Sequence, residues 1–126
     1  MTFDKPNRAA LVEVATGVVG GVAVRWSIGE LLTTVAALVL VNFLGCAILA
    51  AIVDQTESAS TRRLVGIGFC GGLTTMSGAA VAVAQRFDTG NWSGGGGLGL
   101  LVLLAAASGF GIGASLRRTG LEVEPK

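Results

Sequence analysis

A seven-residue stretch at 71–77, Gly-Gly-Leu-Thr-Thr-Met-Ser, constrains the fold of this chain more than any other feature. It lies inside an apolar run at 64–84 that is long enough to cross a bilayer. Adjacent glycines add backbone freedom and threonine hydroxyls offer competing local hydrogen bonds, so we expect the helix to come apart at the glycine pair. Hydrocarbon cannot satisfy the N–H and C=O groups that a break frees, so protein groups or a polar pathway must take them up.

A broken helix at this position would create an ion site near the bilayer midplane. The half-helix from Met76 would point its positive N-terminal end inward, and the unwound carbonyl groups before it could ligate a small cation. The hydroxyls of Thr74, Thr75 and Ser77 are available as donors or acceptors. We therefore favour a third span made of two half-helices.

Glycine spacing also permits a plainer interpretation of the same stretch. Gly68 and Gly72 have the small-xxx-small spacing that lets two helices pack closely in lipid, which would suit an unbroken helix. Further glycines on predicted close-packing faces occur in the first and fourth apolar stretches: Gly17, Gly21, Gly109, Gly111 and Gly113.

Four long apolar stretches predict an all-α membrane protein. Of the 126 residues, 52% are hydrophobic and 13% are charged, whereas a soluble domain is usually about 25% charged. Since a transmembrane helix needs about 20 apolar residues, the length predicts a single domain, 1–126, of four transmembrane helices. The predicted spans lie at about 9–26, 31–53, 64–84 and 98–116, with a turn at Ser27–Glu30 and a flexible glycine-rich connector at 85–97. We expect the first span to be retained rather than cleaved as a signal peptide.

Polar residues inside the predicted spans each need a partner in the membrane. Asn42, near the middle of the second span, is either a helix–helix hydrogen-bonding residue or a donor in an ion pathway. Glu13, one turn inside the first span, is either an ion or proton site or, as we favour, an interfacial carboxylate near a helix N-terminus. Ser108 adds a hydroxyl to the glycine-rich face of the fourth span. Cys46 and Cys70 are expected to be packing residues.

Lysine and arginine residues are distributed unevenly between the two ends of the predicted spans. Seven lie on the side of both termini: Lys5, Arg8, Arg62, Arg63, Arg117, Arg118 and Lys126. Arg25 and Arg86 lie on the opposite side. Because short loops rich in these residues stay in the cytoplasm, the chain is predicted to be a multi-pass cell-membrane protein with both termini cytoplasmic and one fixed orientation. The net charge of +1 argues against a nucleic-acid partner.

Three motifs in chain order resemble the Fluc/CrcB fluoride channel family. A glycine pair followed by Arg25 and a tryptophan, at 20–26, looks like the end of that family's first span. Asn42-Phe43-Leu44-Gly45 looks like its Asn-x-x-Gly, and the stretch at 71–77 looks like its most specific motif, Gly-Gly-Leu-Thr-Thr-Phe-Ser. The resemblance covers nearly the whole chain.

The resemblance implies an antiparallel dual-topology dimer with two fluoride pathways along the subunit interface and a structural sodium ion at its centre. The backbone carbonyls of Gly71 and Thr74 would bind the sodium, Arg25 would anchor the first span, and Asn42 would line the fluoride path. The implied ion pathway also includes Thr75, Met76, Ser77 and Ser108.

Three positions depart from the family pattern. Met76 and Ala79 replace two phenylalanines whose positive ring edges face the dehydrated anion in the family, and Ala82 replaces a glutamate. A chain with one fixed orientation also needs an oppositely oriented partner. We therefore hypothesise a heterodimer, in which a paralogue with the reverse charge bias supplies the phenylalanines.

Other functions remain as alternatives to a conducting subunit. The missing phenylalanines are compatible with a non-conducting accessory subunit of a heterodimeric channel. A carrier like the small multidrug exporters would need a carboxylate deep in a span and aromatic residues for an organic cation, whereas Glu13 is too close to the helix start and tyrosine is absent. The sequence has no histidine and no nucleophile with a base, so we do not expect an enzyme.

Overall fold

The computed structural model describes residues 7–52 and 56–121 and is helical almost throughout. Four helical segments are long and apolar enough to cross a membrane. They are α1 (Arg8–Leu31), α2 (Thr34–Ile52), a third segment at Ala59–Asp88, and the last helix at Trp92–Leu121, here called α5. The predicted fold class, four transmembrane helices with an interrupted third, is confirmed. Lys5, Val53 and Lys126, which entered the predictions above, lie outside the described residues.

The third segment consists of two helices. The first, α3, covers 59–73 in three contiguous pieces: Ala59–Thr61, a π-helical stretch at Arg62–Cys70, and Gly71–Leu73. The second, α4, is Met76–Asp88. Thr74 and Thr75 lie between them outside any helix, near the middle of the segment.

The predicted turn at Ser27–Glu30 is wrong, because α1 continues through it to Leu31. The Ser27 hydroxyl donates to the Ala23 carbonyl at 3.0 Å, so this polar side chain is satisfied within the helix. The helix ends only at Leu32, which is extended and whose N–H donates to the Ile28 carbonyl. The polar residues Ser27 and Glu30 therefore belong to the helix.

The predicted flexible connector at 85–97 is also wrong for most of its length. Only residues 89–91 lie outside a helix, and the four consecutive glycines belong to α5. Gly90 has φ +76° and makes the turn, and the Asn91 side chain caps α5 by accepting from the Gly94 N–H at 2.9 Å. A β-carbon at Gly95 would overlap the ring of Phe87, so glycine is required there for packing.

Glycines hold α1 and α3 side by side with their backbones in contact. A β-carbon at Gly17 would lie 2.9 Å from the Gly68 Cα, and one at Gly72 would lie 3.0 Å from the Val18 Cα. A β-carbon at Gly21 would overlap the Phe69 carbonyl. Residue numbers rise together along the two helices, so the helices are parallel. The predicted small-xxx-small faces of both helices are confirmed.

A second parallel pair is formed by α2 and α5. β-Carbons at Gly109 and Gly113 would overlap the carbonyls of Phe43 and Ala47, whereas Gly111 faces open space. The main apolar cluster lies between α2, α4 and α5 and contains Leu38, Ala79, Ala82, Leu98 and Val102. Two of the three glycines predicted for the α5 face therefore make close contacts.

The Glu13 carboxylate forms an ion pair between the starts of α1 and α3. Its Oε2 lies 2.6 Å from Nε of Arg63, and its Oε1 accepts from the Ser60 hydroxyl at 2.7 Å. Both charged side chains are partly exposed, at 25% for Glu13 and 36% for Arg63. This supports the interfacial interpretation of Glu13, with a cationic partner that the sequence did not predict.

Candidate functional site

The break in the third segment occurs two residues later than predicted. The glycine pair remains helical, with Gly71 at φ −65° and ψ −36°. Thr74 and Thr75 are extended instead, at φ −73°, ψ 154° and φ −148°, ψ 105°. Gly72 packs on the Val18 backbone of α1, a contact that unwinding at the glycine pair would disrupt. The chain therefore leaves the helix at the next β-branched residues, which tolerate extended backbone well.

Asn42 of α2 spans this break with its side-chain amide. Its Oδ1 accepts from the Thr75 N–H at 3.2 Å, and its Nδ2 donates to the Leu38 carbonyl at 2.8 Å and to the Thr75 carbonyl at 3.5 Å. The side chain is buried, at 7% exposure. In an unbroken α-helix the Thr75 N–H would donate to Gly71. Asn42 thus replaces a lost helical bond and ties α2 to the break.

The Thr75 side chain begins the second half-helix. Its hydroxyl oxygen accepts from the Gly78 N–H at 3.0 Å, which makes Thr75 the N-cap of α4. The Ser77 hydroxyl lies 3.5 Å from the same oxygen. The Thr74 hydroxyl instead turns back and donates to the Cys70 carbonyl at 2.9 Å. Of the three hydroxyls predicted to serve an ion, two are therefore engaged in holding the half-helices.

The carbonyl end of α3 carries the oxygens that were predicted to bind a cation. The Thr75 and Gly78 amides, which would bond the Gly71 and Thr74 carbonyls in a continuous helix, both have other acceptors. Nη1 of Arg25 donates to the Thr74 carbonyl at 3.3 Å. A carbonyl oxygen has two lone pairs, so one remains on Thr74. Carbonyl oxygens at the negative end of a half-helix are suitable ligands for a sodium ion.

A cavity of about 200 Å³ lies next to the break, between α1, α2 and Thr75. Its polar side chains are those of Arg25, Thr34 and Thr75. Two of these three were predicted to be functional from their motifs. Thr34 was missed, because a threonine at the start of a helix gives no signal of its own.

The positions that depart from the family pattern face in different directions. Met76 is 65% exposed on the surface of the subunit, whereas Ala79 and Ala82 are buried, at 4% and 5%, among residues of α2 and α5. Met76 and Ala79 both line a cavity of about 180 Å³ beside α5, whose other lining residues are Ala80, Val83, Gly99, Val102 and Leu103. Among the residues that the structure describes, no aromatic ring lines this cavity.

Ser108 lies on α5 next to Gly109, which packs on Phe43 of α2. Its hydroxyl donates to the Ala105 carbonyl at 3.0 Å, and it lines an open groove along α5 together with Gly111 and Ile112. The structure thus brings Arg25, Asn42, Gly71, Thr74, Thr75, Met76 and Ser77 into one region at the break.

We expect Thr75→Val to weaken the start of α4, because valine keeps the shape of threonine and removes the oxygen that caps Gly78. Loss of an N-cap typically costs about 1 kcal/mol. Thermal unfolding of the purified protein measures the effect, with Thr75→Ser as the control that keeps the cap. Equal unfolding temperatures for the valine and serine variants would contradict this role of the hydroxyl.

Together the fold and the break define a small, multi-pass membrane protein with an interrupted helix braced by polar side chains. The sequence model of the family described as "CrcB-like protein, Camphor Resistance (CrcB)" matches residues 12–117, and the chain belongs to this family.

Curated relatives cover most of the chain. It is 40% identical over 111 residues to a "Fluoride-specific ion channel FluC 2" of Parasynechococcus marenigrum (strain WH8102), covering 85% of this chain and 83% of the relative. It is 41% identical over 112 residues to the protein of the same name in Prochlorococcus marinus (strain MIT 9313), covering 86% and 85%. The same name belongs to a protein of Rhodococcus jostii (strain RHA1) that is 52% identical over 42 residues, 33% of this chain and 37% of the relative. The family resemblance seen in the sequence is confirmed.

Proposed function

We propose that this chain is a subunit of a fluoride-specific ion channel that lowers cytoplasmic fluoride by passive efflux. The observation that carries the proposal is the break at Thr74–Thr75, which side chains of two other helices hold by hydrogen bonds. Arg25 from α1 and Asn42 from α2 both hydrogen-bond to it, so the three stretches that resemble the family meet at the break. The names of relatives that match 85% or more of the chain support the same function.

The polar groups at the break can favour an anion. The positive N-terminal end of α4 and the Arg25 guanidinium both lie at Thr74–Thr75. Of the two bonds that Asn42 Nδ2 donates, the one to the Thr75 carbonyl is long, at 3.5 Å. A passing fluoride ion can replace this weak acceptor while the 2.8 Å bond to Leu38 keeps the side chain in place. Asn42 therefore acts both as a brace and as a donor in the pathway.

A second, inverted subunit completes the channel in this proposal. Gly71, Met76 and Ser77 belong to the break region, yet all three are exposed on the single subunit. A partner could cover this surface and line a pathway with it. Because the arginine and lysine bias predicts that the chain inserts with both termini in the cytoplasm, the inverted partner is expected to be a paralogue with the opposite bias.

A sodium ion bound between the subunits would be held in part by the Gly71 and Thr74 carbonyls. It would supply positive charge for the carbonyl oxygens that the break leaves without helical donors. We expect exchange of sodium for N-methyl-D-glucamine to lower the thermal stability of the assembled dimer. An unfolding temperature that is the same in both salts would contradict this sodium site.

A non-conducting accessory role is the second candidate. It is favoured by the cavity beside Met76 and Ala79, whose described lining residues include no aromatic ring that could face an anion. In this case the chain would orient and stabilise a partner whose own residues conduct.

The need for a partner is tested by fluoride efflux from liposomes, measured with a fluoride electrode. The chain is reconstituted alone, with a paralogue from the same genome, and with the paralogue in excess. We expect efflux only when both chains are present. Strong efflux from this chain alone would refute the heterodimer.

A further inference from the structure

The second helix and the third segment run antiparallel and are in contact just before the break. Three contacts define their register: the Asn42 amide with the Thr75 N–H, a β-carbon at Gly45 3.6 Å from the Cys70 carbonyl, and a β-carbon at Gly66 3.5 Å from Leu49. Residue numbers fall along the third segment as they rise along α2. In this register Cys46 lies level with Cys70, so the two cysteines belong to the same layer of the contact.

Both cysteines also lie on the sides of their helices that meet. Cys46 is one turn after Asn42, and residues four apart share a face of an α-helix. Cys70 is one turn before Thr74, whose hydroxyl donates to the Cys70 carbonyl at 2.9 Å. Because Gly45 has no side chain, α2 approaches α3 closely at this level. Both cysteines are free thiols, with Cys70 buried at 2% exposure and Cys46 partly buried.

The pair provides two sulfur ligands for a metal ion and no third ligand. Within residues 7–52 and 56–121, no cluster of three or more histidine, cysteine, aspartate or glutamate side chains could hold a metal. Zinc takes four ligands in structural sites, so two sulfurs do not complete a zinc site. Soft thiolates favour thiophilic metals, and mercury(II) binds two thiolates in a linear arrangement. The two cysteines therefore suit a soft, two-coordinate metal ion.

Charge favours mercury(II) over other two-coordinate metal ions at this depth. Copper(I) or silver(I) with two thiolates would carry a net negative charge, which is costly in apolar surroundings, whereas mercury(II) with two thiolates is neutral. When mercuric chloride reacts with two thiols, two S–H bonds break and two Hg–S bonds form. Two protons and two chloride ions are released, and no atom changes its oxidation state.

We propose that Cys46 and Cys70 form a binding site for one mercury(II) ion, which links α2 to α3 one turn before the break. Without the metal, the two thiols pack as small apolar side chains. Because bound metal joins two helices of the folded protein, mercury is expected to raise the unfolding temperature. The site depends only on the contact between α2 and α3 and is the same whichever ion the protein conducts.

Mercury-edge X-ray absorption of the full-length, assembled protein, loaded with one mercuric chloride per chain, identifies the ligands. We expect two sulfur ligands in the wild type. Cys46→Ser keeps the size of the side chain and removes the soft ligand, so one sulfur should be lost. Denaturing mass spectrometry without reductant should find one mercury in place of two protons on a single chain. Mercury bound by one sulfur in the wild type, or shared between two chains, would overturn the proposal.

A matched control moves one thiol to another side of α2 and keeps the number of cysteines. Leu44→Cys is combined with Cys46→Ser, since position 44 lies about 200° around an α-helix from position 46. We expect this variant to bind mercury through one sulfur and to unfold at the same temperature with and without mercuric chloride, whereas the wild type is stabilised. Two-sulfur coordination in the control, or equal mercury-dependent stabilisation of the control and the wild type, would overturn the proposal.

Discussion

Replacing Gly72 with alanine is expected to destabilise the protein strongly, whereas the same change at the adjacent Gly71 should leave it intact. A β-carbon at Gly72 would lie 3.0 Å from the Val18 Cα and would overlap the Val18 carbonyl, and backbone atoms cannot move aside as a side chain can. Overpacking of this kind typically costs about 1–3 kcal/mol and sometimes more. We expect Gly72→Ala to reach the upper end of that range, as measured by thermal unfolding and by yield of assembled protein.

Gly71→Ala is a matched control because it changes the other member of the same glycine pair. Gly71 is helical, and a β-carbon there meets nothing within 4 Å. Alanine keeps the backbone carbonyl that is proposed to bind sodium and favours the helix by about 0.5–1 kcal/mol. Equal destabilisation by the two substitutions would show that α3 does not pack against α1 through Gly72.

Asn42→Leu is expected to abolish fluoride efflux and to destabilise the protein. Leucine fills a similar volume but leaves the Thr75 N–H and C=O without the partners that Asn42 supplies. An unsatisfied buried polar group costs about 1–3 kcal/mol. The measurements are fluoride-electrode efflux from liposomes and thermal unfolding in detergent.

Asn42→Asp removes the donor atom of this side chain and keeps one of its acceptors. A carboxylate keeps the acceptor for the Thr75 N–H and removes the donor that the pathway requires. The second carboxylate oxygen would face the Leu38 carbonyl, which also accepts, so we expect Asn42→Asp to lose stability as well as fluoride efflux. Wild-type efflux in both variants would contradict a pathway role for Asn42, and wild-type stability in the leucine variant would contradict the brace.

The helices and their glycine contacts were predictable because both depend on local patterns. Apolar length indicates the spans, and the four-residue spacings of Gly17 with Gly21 and of Gly68 with Gly72 mark the faces that meet. The exact position of the break was not predictable in this way. It depends on Val18, a residue of another helix on which Gly72 packs.

Contacts between distant segments account for the other differences. Glu13 pairs with Arg63, 50 positions away, so neither local sequence reveals the partner. The sequence left open whether Asn42 hydrogen-bonds to another helix or donates in an ion pathway. Its hydrogen-bond partner is the Thr75 backbone, 33 positions further on, which the local sequence does not reveal. The connector at 85–97 was predicted to be a flexible loop from its glycines, whereas the contact of Gly95 with the Phe87 ring joins residues eight positions apart, which the local sequence does not show.

Fluoride efflux with a partner whose own pathway is inactive tests most directly whether this chain conducts fluoride past the break at Thr74–Thr75. The paralogue is first inactivated by substitutions in its own pathway and shown to be silent by itself, then co-reconstituted with this chain. Residual flux must then pass through residues of this chain. The account predicts fluoride efflux that is lost with Asn42→Leu, and efflux indistinguishable from that of protein-free liposomes would contradict it.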